Sequence, residues 1–124
     1  MSGRLPLVVV DAANVVGSVP DAWWRDRTGA TERLRDSLVA VRDQGVPGVP
    51  PPVDVLLVVE GAARRVEPVD GVEVVPAPGS GDDTIVRMVS EAARPCVVIT
   101  ADRELRARVE ALGATVLGPR TVRP

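Results

Sequence analysis

Histidine, lysine, phenylalanine and tyrosine are absent from this chain, and cysteine occurs once, at Cys96. Without histidine there is no Ser-His-Asp triad, no Cys-His dyad and no imidazole acid/base pair. Without lysine there is no P-loop, no Schiff base and no lysine-assisted phosphoryl transfer. Zinc sites of the usual kinds are excluded, because they draw on histidine and on several cysteines. A lone cysteine cannot form an internal disulfide and fits a reducing cytoplasm. At the head of the run CVVIT it reads as a small buried hydrophobe. No apolar run approaches the ~20 residues that span a bilayer, so a membrane is not an expected partner. The opening MSGRLPLVVVDAAN carries one Arg and a short apolar run ending in Asp, and reads as a first strand, not a signal peptide. The net charge is −2, which gives no global attraction for nucleic acid. All 15 basic residues are Arg. Arginine is the better bidentate phosphate ligand, but a GC-rich genome produces the same bias.

What is present is aliphatic. Of the 124 residues 45% are hydrophobic, mostly Val and Ala, which suffices for one packed domain without disulfides. The runs Leu5–Val10, Val53–Val59, Val72–Val75, Cys96–Thr100 and Ala114–Leu117 are continuous, as strands buried on both faces should be. Helical patterns separate them. Thr31 is the expected N-cap of a helix with Leu34, Leu38 and Val41 inward, stopped by Gly45 and Pro47. Ser80 caps a second, with Ile85, Val89 and Ala92 or Ala93 inward. A third starts near Arg103, carries Leu105, Val109 and Leu112, and ends at Gly113. The segment Gly45–Pro52 reads as a stiff exposed connector, VEVV as an edge strand, and residues 119–124 as a tail after a domain of residues 1–118. The order β-α-β-β-α-β-α-β predicts an α/β fold, and right-handed crossovers predict a mostly parallel five-stranded sheet ordered 3-2-1-4-5 with helices on both faces.

Acidic motifs follow these runs: VVVDAANVV around Asp11, LLVVE ending in Glu60, GSGDDTIV around Asp82 and Asp83, and VVITADREL around Asp102. Carboxylates at the ends of parallel strands lie on the rim where open α/β sheets place their ligands, and strands one and four flank the expected switch point. Carboxylates brought together repel unless a cation neutralises them, and oxygen-only ligands favour Mg²⁺ or Mn²⁺. Each residue also has a structural reading. Asp11 and Asn14 suit a turn, Asp82 and Asp83 complement a helix dipole, Asp102 suits an N-cap, and a strand-end Glu60 suits solvent. Their shared rim favours the metal site.

A phospho-acceptor receiver domain needs a Lys near its last strand. A haloacid-dehalogenase-type phosphatase needs D-x-D, but position 13 is Ala, and a dinucleotide fold needs G-x-G-x-x-G where this chain has DAANVVG. The segments VVVDAANVVGS, LLVVEGAARR, VEVVPAPGSGDDTIVRMV and VVITADRELRARVEALGATVLGP instead resemble, in order and over most of the chain, the PIN-like nucleases. The resemblance is to the NYN branch that includes YacP-type bacterial ribonucleases. It implies a 3-2-1-4-5 parallel sheet and metal-dependent hydrolysis of RNA phosphodiester bonds. By position, Asp11, Asp82 or Asp83, and Asp102 then correspond to metal-site carboxylates, Asn14 to the polar residue orienting the first loop, and Thr100 to the strand-end hydroxyl. Glu60 stands where the family's pattern often has Asp. Arg64, Arg65 and Arg103 are candidates to hold phosphates. Of Trp23 and Trp24, one is expected to anchor the loop and one to be partly exposed, where it could stack on a base. Two other functions fit the same residues: a metal-dependent nucleoside triphosphate pyrophosphohydrolase, and a non-catalytic RNA-binding module. Single-stranded or structured RNA is the expected partner, and self-association stays open.

Overall fold

The computed structural model describes residues 5–19 and 23–123. Five strands, β1 (Leu7–Asp11), β2 (Asp54–Val59), β3 (Glu73–Pro76), β4 (Cys96–Ile99) and β5 (Thr115–Leu117), form one sheet in the order β3-β2-β1-β4-β5. Every neighbouring pair runs parallel, so the expected sheet order holds and the sheet is wholly parallel. Alternate residues of a strand face opposite sides, and here both sides are covered. Val8, Val10, Val55, Leu57, Val59 and Ile99 pack with α1 (Ala12–Gly17), α2 (Arg27–Leu38) and α3 (Val41–Gln44). Leu7, Val9, Leu56, Val58 and Val98 pack with α4 (Gly81–Glu91) and α5 (Arg103–Glu110). The chain leaves β1 toward one face and β4 toward the other, so the rim between them is the switch point.

Local chemistry explains where the sequence reading shifts. The chain coils into α1 directly after Asp11, whose side chain accepts from Asn14 N, where only a turn was expected. Helix α2 begins earlier than Thr31: Asp26 is its N-cap, and its carboxylate accepts from Gly29 N at 2.9 Å. Thr31 lies inside the helix, buried, with its hydroxyl donating to Arg27 O. Ser80 precedes α4 as expected but makes no side-chain cap bond. In α5 the inner stripe is Leu105 and Val109, and Leu112 is exposed because the helix has already ended at Glu110. Val46 of the connector is buried against the core. Residues 119–123 pack down: Pro119–Thr121 forms a 3-10 turn, Val122 lies on the core, and the Arg123 guanidinium donates to Val16 O. Cys96 is free and buried, its thiol pushed up by that burial. Among the described residues, no helix is long and apolar enough to cross a membrane.

Candidate functional site

The switch-point rim is acidic. Asp11 is the last residue of β1 and the N-cap of α1, and it is 4% exposed. Burial alone would push its carboxyl up steeply. The Thr100 hydroxyl, donating to Asp11 Oδ2 at 2.9 Å, and the Asn14 N–H near Oδ1 at 3.5 Å oppose that, while Asp82 and Glu60 add repulsion. The balance leaves Asp11 raised from 3.8 to about 6.

The neighbours arrive from separate elements. Glu60 immediately follows β2, and its Oε1 lies 3.0 Å from where a Cβ on Gly81 would stand. The bare glycine therefore admits the Glu60 carboxylate to the N-terminal end of α4, where the helix dipole favours negative charge. Asp82 is the second residue of that helix. Its carboxyl is raised by partial burial and then by Asp102 and Glu60, with Arg108 opposing. Asp102 caps α5: its Oδ1 accepts from Glu104 N at 2.9 Å and from Leu105 N at 3.1 Å. Among the described residues no donor reaches its Oδ2.

Asp83 departs from this set. Its side chain is 79% exposed and pairs with Arg108 at 3.0 Å. Of the two adjacent aspartates, Asp82 is the one that shares the rim with Asp11, Glu60 and Asp102. Among the described residues, no group of three carboxylates is arranged closely enough to enclose an ion.

Two side chains hold the rim in shape. Thr100 donates to Asp11 and accepts from Asp102 N at 3.1 Å, joining the end of β1 to the loop after β4. Asn14 Oδ1 accepts from Ala101 N at 2.8 Å and ties α1 to the same loop. Replacing Thr100 with Val removes both bonds at nearly constant volume and leaves a buried carboxylate short of a donor. Thr100→Val is expected to destabilise the protein by about 1–3 kcal/mol at pH 7, read as a lower denaturant midpoint at unchanged slope; an unchanged midpoint would contradict the clasp.

The candidate arginines follow acidic residues of the rim closely in sequence. Arg64 and Arg65 are exposed on the 3-10 turn Gly61–Arg65 that directly follows Glu60, and Arg64 Nε donates back to Gly61 O at 3.3 Å. Arg103 is exposed at the start of α5, beside Asp102. Trp24 is 56% exposed on the 3-10 turn Trp23–Arg25; the Trp23 side chain lies outside the described residues. Sequence reading did not anticipate the Asp26 cap, the Asn14–Ala101 tie or the Asp83–Arg108 pair. The last two join groups 87 and 25 residues apart, a distance over which local pattern carries no signal.

No protein-family model matches the chain, and no curated protein matches it in sequence. Among solved structures, Rae1 (YacP) from Bacillus subtilis superposes with a TM-score of 0.75 at 16% identity, over 93% of this chain and 70% of that one. A mutant of the same protein gives a TM-score of 0.68 at 18% identity, over 95% of this chain and 72% of that one. At these identities the likeness is one of fold. The chain shares its fold with that protein, and its own sheet is wholly parallel and ordered 3-2-1-4-5.

Proposed function

We propose that this protein is a divalent-metal-dependent ribonuclease. The observation that carries this reading is the approach of Asp11, Glu60, Asp82 and Asp102, from four separate elements, at one end of the sheet: burial first, and then repulsion from neighbouring carboxylates, raises the carboxyls of Asp11 and Asp82. Such an arrangement costs stability in the metal-free chain and suits a hard cation, since every donor is oxygen. The motif resemblance to PIN-like nucleases and the fold likeness to Rae1 (YacP) support the same reading.

Asp11, Asp82 and Asp102, with Glu60 beside them, are the residues that would hold Mg²⁺ or Mn²⁺, and because no three of them stand close enough to enclose an ion, binding would have to draw their side chains together. When bound, the ion would offset the charge of the scissile phosphate and favour ionisation of a water. The chain's own part is positioning. Thr100 fixes the rotamer of Asp11, the Asp102 cap bonds leave its Oδ2 available, and Asn14 sets the distance between α1 and the loop carrying Asp102. Arg64, Arg65 and Arg103 would engage phosphates on either side of the scissile one. With water as nucleophile and the 3′-oxygen as the leaving group, which takes up a proton, cleavage would leave a 5′-phosphate and a 3′-hydroxyl.

The test compares a short single-stranded RNA with the four ribonucleoside triphosphates, each with Mn²⁺. RNA is expected to be cut to 5′-phosphorylated fragments while the triphosphates persist. RNA affinity is expected to fall steeply with salt, and the Arg64→Ala, Arg65→Ala double variant to bind more weakly with a salt slope shallower by about one to two. Turnover of triphosphates without RNA cleavage would make the protein a pyrophosphohydrolase. RNA binding with no turnover of either would make it a binding module.

A further inference from the structure

Beside the acidic rim, on the opposite side of Glu60 from α4, a cleft of about 210 Å³ opens between α1, α2 and the turn after β2. Ala12, Ala13, Val16 and Ala63 give it aliphatic walls, and Thr31, Arg27 and Glu60 contribute its polar lining. Its position is tied to the candidate site by the chain itself. Ala12 follows Asp11 in sequence, and Glu60 lines the cleft while its carboxylate lies at the start of α4. The walls are braced as well: the Thr28 hydroxyl donates to Ala62 O at 3.2 Å, linking α2 to the turn.

We propose that this cleft is a nucleobase subsite, receiving the base of a nucleotide adjoining the phosphate at the rim. The proposal rests on the nuclease reading for the polymer to which that base belongs. Ligand pockets that enclose drug-sized molecules begin at about 300 Å³, so this smaller cleft suits one planar ring system and not a whole nucleotide. Aliphatic walls bury the faces of a base. The small side chains at positions 12, 13 and 63 are what keep the space open. Ala13 is exposed on α1, so enlarging it fills the cleft without disturbing the core or the carboxylates.

Equilibrium titration of the protein in Mg²⁺ with the four ribonucleoside 5′-monophosphates and with ribose 5-phosphate tests this directly, because none contains a phosphodiester bond. The preferred monophosphate is expected to bind at least about tenfold more tightly than ribose 5-phosphate. Ala13→Leu is expected to abolish that difference while leaving ribose 5-phosphate affinity unchanged, and Ala13→Ser, which keeps the cleft open, to retain it. Equal affinity for ribose 5-phosphate and all four nucleotides overturns the subsite, as does a preference that survives Ala13→Leu. Base-dependent binding that Ala13→Leu removes, in a protein that leaves RNA uncut, supports the subsite and overturns the nuclease reading instead.

Discussion

Asp11→Asn is expected to reduce metal-dependent RNA cleavage at least about a hundredfold while making the metal-free protein more stable at neutral pH. The two effects share one cause. Asp11 is buried beside Glu60 and Asp82, and its folded-state value of about 6 lies above the ordinary 3.8. A carboxyl raised on folding contributes its full stability only below the unfolded value, and that contribution is lost as pH rises through the folded value. The loss therefore develops between about pH 4 and pH 6, and reaches at most about 3 kcal/mol above that window. Asparagine avoids this loss but gives up the charge that strengthens the Thr100 hydrogen bond, so a net gain of about 1–2 kcal/mol is expected at pH 7.5. Melting curves for both proteins at pH 4 and pH 7.5, with EDTA and with Mn²⁺, provide the check. Without metal, the variant's advantage should be present at pH 7.5 and vanish at pH 4. With Mn²⁺, wild type should gain in melting temperature and the variant should gain much less. An equal Mn²⁺ effect on both proteins would remove Asp11 from the metal site, and a pH-independent difference would contradict the strain at this carboxyl.

The fold was legible because its physics is local and repetitive. Continuous valine runs such as VLLVV and CVVI can only be buried on both faces, and handedness then leaves few orders for the strands they form. The ends of helices were less legible. Thr31 carries the right side chain for a cap, but the aliphatic stripe of α2 extends back to Ala30, so tertiary packing draws the helix start to Asp26. Leu112 follows the helical spacing of Leu105 and Val109, yet the chain turns away through Gly113, whose φ of +92° ends the pattern. At the site, the sequence pointed to Asp11, Glu60, Asp102 and either Asp82 or Asp83 on one rim, because each follows a strand or opens a helix, and it could not tell the two adjacent aspartates apart. It could not supply the burial of Asp11, which depends on α1 folding back over the sheet and on Thr100 arriving from β4. The nucleobase cleft was invisible for a similar reason: its walls are alanines and a valine, residues without chemical signature, gathered from three segments.

The adjacent pair Asp82 and Asp83 is expected to separate cleanly on mutation: Asp82→Asn should lower RNA cleavage at least about a hundredfold, and Asp83→Asn by no more than about threefold. Helix geometry sets the difference. Residues three and seven positions beyond Asp82 are Ile85 and Val89, the buried stripe of α4, so its first turn carries Asp82 inward over the sheet's end. There partial burial and the charges of Asp102 and Glu60 raise its carboxyl. Asp83 is one step round the helix, on the side of exposed Arg87, and its carboxylate meets Arg108 of α5 in solvent. An exposed pair of that kind contributes about 0–1 kcal/mol, so Asp83→Asn should barely move the melting temperature. Asp82→Asn relieves the repulsion from Asp102 and Glu60, and the metal-free protein should be unchanged or more stable. Metal titration by calorimetry gives a second readout, with Mn²⁺ affinity falling in the Asp82 variant and holding in the Asp83 variant. Loss of cleavage and of Mn²⁺ affinity in Asp83→Asn, with Asp82→Asn near wild type, would invert the assignment and require α4 to turn by about 100° at its first turn. Equal activity in both variants would leave the rim with Asp11, Glu60 and Asp102 alone.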